Sequence, residues 1–169
     1  MRRTAWGILL AAISLLPLQA VRADDNRYEP VALTADTQTV YITGIESRQG
    51  RTFITGDTIQ WYEGEEANKV FREREQDPEM TEAPDGYYIV NDEVDLHTYE
   101  LAPDADIQMQ YYNRTGNWND ADIRWNEKID AAKFVSLFTP QDQETMEGFP
   151  YHLTIKNGKI VKIVQQYVP

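Results

Sequence analysis

The chain has 169 residues, a formal net charge of −12 and no cysteine. Without a thiol there is no disulfide, no thiolate metal site, no cysteine nucleophile and no lipid-modified cysteine. The acidic balance excludes the positive stripe that displaces counterions from nucleic acid, so no nucleic-acid partner is expected.

The chain opens on Met1-Arg2-Arg3, continues uncharged from Ala5 to Leu18, and places Val21-Arg22-Ala23 before Asp24-Asp25. That order of basic, apolar and small residues predicts a secretory signal peptide over 1–23, cleaved after Ala23, and hence a secreted, extracellular protein. The apolar run of about 14 residues is short of the roughly 20 that span a membrane, so the mature chain is expected to carry no transmembrane anchor. Cleavage removes three arginines and leaves 146 residues at −15, the size of one domain.

Residues 24–36 are polar, contain Pro30 and show no period, which reads as a flexible lead-in to a single globular domain over 37–169. Thr37–Ile45 and Thr52–Tyr62 are β-branched and aromatic around the turn Arg48–Arg51, a hairpin with bend or bulge positions at Gly44 and Gly56. In the first strand Val40 and Ile42 share one face, and Tyr41, Thr43 and Ile45 the other. In Glu65–Glu75, Ala67, Val70 and Phe71 recur at helical spacing, with Glu65 and Glu66 suiting the first turn. Gln76–Gly86 is an exposed acidic loop. Tyr87–Val90 and His97–Leu101 read as short strands, Pro103–Asp106 as a break and Ile107–Tyr112 as a further strand. Asn113–Asp120 is a polar turn and Ile123–Ile129 a strand. Asp130 is placed to cap a short helix over Ala131–Phe138, which Thr139-Pro140 stops.

The sharpest local signal closes the chain: His152–Lys156 and Lys159–Gln165 flank Asn157-Gly158, the preferred pair for a two-residue type I′ turn. A strict register sets Ile155 opposite Ile160, Leu153 opposite Lys162 and Tyr151 opposite Val164. The sum is an α+β, mostly β domain: a small partly open β-barrel, OB-like or SH3-like, with two short helices.

Catalytic signatures are scarce. Outside the leader the only serines are Ser47 and Ser136, and the only histidines are His97 and His152. No nucleophile elbow, HExxH, P-loop or dinucleotide fingerprint occurs, and no cofactor is called for. Carboxylates are abundant, and a glycan hydrolase needs two, about 5–5.5 Å or about 6.5–9.5 Å apart in an aromatic cleft. Glu63 beside Trp61-Tyr62, paired with Asp120 or Asp122 between Trp118 and Trp125, is the candidate set. Asn91–Asp95 and Asn117–Asp122 offer oxygen ligands to calcium without EF-hand spacing, so no metal ligand is assigned. Asn113-Arg114-Thr115 fits the N-glycosylation pattern.

The aromatic residues are the remaining feature. Tyr87-Tyr88 and Tyr111-Tyr112 are adjacent pairs, so on a strand one ring of each must face solvent or a second layer. Trp61, Tyr62, Tyr87, Tyr88, Tyr111, Tyr112 and Trp118 are therefore the binding candidates, alongside their ordinary use as core.

Asp85–Asn91 (DGYYIVN), Leu101–Ala105 (LAPDA), Pro150–Pro169 and the Trp61…Gly64-Glu65-Glu66-Ala67 helix start resemble a loose group of small secreted, uncharacterised Gram-positive bacterial proteins. The resemblance spans roughly 38–169 and implies secretion and a single domain. It carries no established activity and transfers no functional residue. The reading that follows is a non-catalytic extracellular module whose partner is a protein or a cell-envelope component. The alternatives are the carboxylate-based hydrolase and a weakly calcium-binding structural protein.

Overall fold

The computed structural model describes residues 28–169; the predicted leader and the first four residues of the lead-in lie outside them. Eight strands and three helices follow in chain order. They are β1 (Thr37–Arg48), β2 (Arg51–Thr58), β3 (Gln60–Glu63), α1 (Gly64–Glu75), β4 (Tyr87–Val90), β5 (Leu96–Met109), β6 (Glu127–Ile129), α2 (Ala131–Ser136), α3 (Gln143–Glu147), β7 (Pro150–Lys156) and β8 (Lys159–Gln165). The class is thus α+β with strand predominant, as expected.

Five strands close into a ring. β1 pairs antiparallel with β2 and with β7, β7 with β8, β8 parallel with β5, and β5 antiparallel with β2. β6 adds to the far end of β5. Both ring hairpins turn on two left-handed residues, Gln49-Gly50 (φ 50° and 74°) and Asn157-Gly158 (φ 52° and 76°). That mirror-image turn matches the right-handed twist of its strands.

Bulges correct three sequence expectations. Thr43 is an extra residue between the pairs Ile42↔Gly56 and Gly44↔Thr55, so Ile45 swings from the outer face to pack on the core beside Ile42. On β8, Val161 is extra between Ile155↔Ile160 and Thr154↔Lys162. Leu153 therefore meets Ile163 and Tyr151 meets Gln165, one residue off the strict register, and Ile160 and Ile163 both reach the interior. An odd spacing places two side chains on one face only when a bulge intervenes. Facing Val161, β5 bows out over Ala102–Ala105, because Pro103 has no N–H for the ladder. The strand nonetheless continues from Leu96 to Met109 where a break between two shorter strands was expected.

The ring interior holds Val40, Ile42, Ile54, Leu101, Ile107, Met109, Tyr151, Leu153, Ile160 and Ile163. Phe134 and Leu137 around α2 and Met146 of α3 join this core. Asp130 caps α2 as expected, its Oδ1 accepting the Lys133 N–H at 2.7 Å. The helix stops at Ser136 rather than Phe138, and α3 is a third helix not foreseen, since Met146 is the one apolar side chain in its five residues. The strand expected over Ile123–Ile129 shrinks to its last three residues.

Between the second and third ring strands the chain inserts a unit of β3, α1 and β4. Its own small core is Ala67, Phe71 and Ala83 under Tyr62 and Tyr88. No helix among the described residues is long and apolar enough to cross a membrane.

Candidate binding cleft

The antiparallel β3–β4 pair splits Trp61-Tyr62 and Tyr87-Tyr88 between its two faces. Trp61 lies opposite Ile89, and Glu63 opposite Tyr87, so these four share one face. Tyr62 and Tyr88, directly opposite each other, take the other face and pack on α1. There Tyr88 meets Phe71 edge-on at 5.6 Å and its hydroxyl donates to Glu75. The first face lines a cleft.

That cleft has a volume of about 620 Å³ and is lined by Tyr28, Trp61, Glu63, Asp85, Gly86, Tyr87, Trp125, Gln166, Tyr167 and Pro169. One wall is the stack of Trp61 on Tyr87, with ring centres 4.8 Å apart and planes 13° apart. The other comprises Trp125 with Tyr28 at 5.4 Å and Tyr167 at 6.1 Å. Tyr167 in turn contacts Phe149 and Tyr111, which ties this wall to the main core.

The walls are held by a buried polar network. Gln166 follows β8 and is 6% exposed. Its amide nitrogen donates to the Tyr167 carbonyl at 3.0 Å, which leaves its oxygen as an acceptor. That oxygen accepts from the Tyr28 hydroxyl at 2.6 Å and lies 3.2 Å from His152 Nε2. His152 therefore carries its proton on Nε2, and its Nδ1 accepts from the Thr39 hydroxyl at 2.9 Å. Trp61 abuts the imidazole edge-on at 5.9 Å. Burial holds the His152 pKa below its ordinary value, against the opposing influences of the Gln166 hydrogen bond and the Glu63 charge. Burial, followed by the Glu63 charge, pushes Tyr28 up to about 12. Tyr87 is raised by burial and then by Asp85.

The two carboxylates approach from different directions. Glu63 is the last residue of β3. Asp85 sits in the Pro84–Gly86 turn at φ 60°, followed by Gly86 at φ 76°. Asp tolerates the left-handed region better than most residues, and glycine adopts it freely. Because Glu63 pairs with Tyr87, both acids lie at the same end of the hairpin.

Of the sequence-derived candidates, Trp61, Glu63 and Tyr87 meet in this cleft. Asp120 and Asp122 are not among its lining residues. Asp120 accepts from Thr115 and Asn117, and Asp122 pairs with Arg114 at 3.1 Å and Arg124 at 3.2 Å. Tyr112 is buried, with its hydroxyl on Glu127 at 3.0 Å and the Arg114 guanidinium 4.3 Å from its ring centre. Tyr111 joins the aromatic cluster, and Trp118 donates its indole N–H to Asp142 at 2.8 Å. Asn113 of the glycosylation pattern is 4% exposed, its side chain tied to Asp142 and to the Gly116 N–H. In the proposed calcium loops Asn91 and the Asp95 N–H both bond Asp57, and Asp92 pairs with Arg74. Among the described residues no three His, Asp or Glu side chains are grouped to hold a metal ion.

Tyr28, Asp85, Trp125, Gln166 and Tyr167 are the cleft residues that sequence reasoning missed. They come from the lead-in, a turn, the approach to β6 and the tail, and no local period links them. The signal present was the crowding of Gln165-Gln166-Tyr167 after an apolar strand.

No known family model, curated protein or solved structure matches this chain.

Proposed function

We propose that this is an exported, non-catalytic binding module that takes a small ligand in the aromatic cleft. The observation that carries the reading is the cleft itself: five aromatic side chains from five separate chain segments, with Tyr28 pinned by Gln166, around about 620 Å³. Small-molecule sites typically enclose about 300–1,000 Å³, with apolar walls and a few placed polar groups. Prior anchoring of Tyr28 through Gln166 means its ring need not be ordered on binding, which lowers the cost of association. Export is supported by the leader pattern of residues 1–23.

We read the ring order β1-β2-β5-β8-β7, with one parallel pair between β5 and β8, as support for a small OB-type barrel. OB barrels commonly bind across their second and third strands and the adjoining hairpin loops. This cleft instead lies at the end of β8 opposite the Asn157-Gly158 turn, against the inserted hairpin. The cleft, and not the ring of strands, therefore carries the functional reading. The hydrolase reading is weaker, because Asp120 and Asp122, its proposed partners for Glu63, are engaged elsewhere.

The test is a thermal-shift screen of neutral oligosaccharides, short peptides and amines, run on the wild-type protein and on Trp125→Leu. The reading expects compounds that raise the wild-type Tm and lose that effect in the variant. A screen with no stabilising compound, or with stabilisation equal in both proteins, contradicts it.

A further inference from the structure

We propose that the ligand of this cleft is a small organic cation, an alkylammonium ion held among the rings with Glu63 and Asp85 as its counter-charges. The inference rests on the reading that the cleft binds a ligand, and adds the ligand's chemistry.

Charge complementarity is the first argument. Two carboxylates line the cleft, and among the described residues no lysine, arginine or histidine does. An anionic ligand would meet Glu63 and Asp85 with no cation among the described lining residues to offset them. The chain's charge of −12 adds a long-range potential that concentrates cations near its surface.

The rings are the second. Aromatic faces carry a negative quadrupole and attract an ammonium group within about 6 Å of the ring centre, tryptophan most strongly. Here Trp61 stacked on Tyr87, and Trp125 with Tyr28 and Tyr167, line one cleft. An alkylated ammonium places its apolar carbons on the rings while the spread charge faces the carboxylates. A bare metal ion would want several converging oxygens, and among the described residues no such group occurs.

The geometry that brings the two acids together is built into the fold. The β3–β4 register fixes Glu63 against Tyr87, and the Pro84–Gly86 turn delivers Asp85 two residues before that tyrosine. Neither carboxylate has a lysine or arginine ion-pair partner among the described residues, unlike Asp92, Glu100, Asp106 and Asp122 elsewhere on the surface.

Calorimetric titration with choline and with its uncharged isostere 3,3-dimethylbutanol separates charge from shape. Choline should bind at least about tenfold more tightly than the isostere. Glu63→Gln and Asp85→Asn should each weaken choline by about threefold, as expected for one partly solvated charge, with the Tm unchanged and the isostere unaffected. Asn suits the left-handed position at 85 as well as Asp does, so that variant is expected to fold. Equal affinity for the two shapes would overturn the cationic assignment and leave the binding reading standing. Absence of choline binding at millimolar concentration, in a protein whose cleft the screen above shows to bind a neutral compound, would overturn it also.

Discussion

Gly56 shows how a single residue sets the ring's closure. A Cβ at this position would lie 2.7 Å from Val40 Cγ2 and 2.8 Å from Val40 Cβ, inside a packed core. Valine is stiff at χ1 and cannot step aside. Gly56→Ala should therefore cost about 1–3 kcal/mol in denaturant unfolding. Val40→Ala, destabilising alone, should cost less in the Gly56→Ala background, and strictly additive losses would contradict the close-approach explanation. The sequence suggested a bend at Gly56. Its reason is the approach of a side chain from the neighbouring strand, which no local pattern encodes. His152 is the second residue with a testable signature. Its folded pKa is depressed below the ordinary value of 6.5, so the unfolded chain binds more protons in the window beneath that value. Stability is then complete above pH ~6.5 and falls as the pH drops through the folded pKa. The Tm should decline between about pH 7 and pH 5, and His152→Gln should flatten that decline. Glu100, held low chiefly by its Lys159 hydrogen bond, acts in the same direction at more acid pH. A pH-independent Tm across the first window would contradict the burial of neutral His152.

At the scale of elements, local chemistry was legible and register was not. The Asn157-Gly158 turn, the Asp130 cap and the apolar stripe of α1 could be read because each is settled within a few residues. The bulges at Thr43 and Val161 could not, because an extra residue is chosen by what its partner strand offers across the sheet. The spacing of Ile42 from Ile45, and of Ile160 from Ile163, was nonetheless a clue: three residues apart, each pair reaches one core. Inserting an alanine after Val161, where the bulge already absorbs one extra residue, moves the rest of β8 by one place and turns Ile163 and the residues beyond it to the opposite face. The expected loss is at least about 3 kcal/mol, comparable to removing a buried aliphatic side chain. An insertion variant with near-wild-type stability would show that the register beyond the bulge does not set the core. Asp130→Ala should cost about 1 kcal/mol through the lost cap, measured in the same way.

At the scale of the whole molecule, a ring of five strands forms the body and the inserted β3–α1–β4 unit supplies part of a cleft. The fold class was legible from strand-rich patterning and turn residues. The cleft was legible only in part: Trp61, Glu63 and Tyr87 announced themselves as neighbours of other aromatics and acids. Their counterparts Tyr28, Trp125 and Tyr167 lie in the lead-in, before β6 and in the tail, and only the tertiary fold assembles them. Raising the ionic strength from about 0.05 M to about 0.5 M should weaken ammonium binding, since partly exposed carboxylates are screened. The most direct measurement is an NMR titration of the ¹⁵N-labelled protein with choline, following the indole N–H signals of Trp61, Trp118 and Trp125. The account predicts saturable shifts at Trp61 and Trp125, with Trp118, hydrogen-bonded to Asp142, moving least. Saturable binding that leaves Trp61 and Trp125 unmoved, or no saturable shift at all, would contradict it.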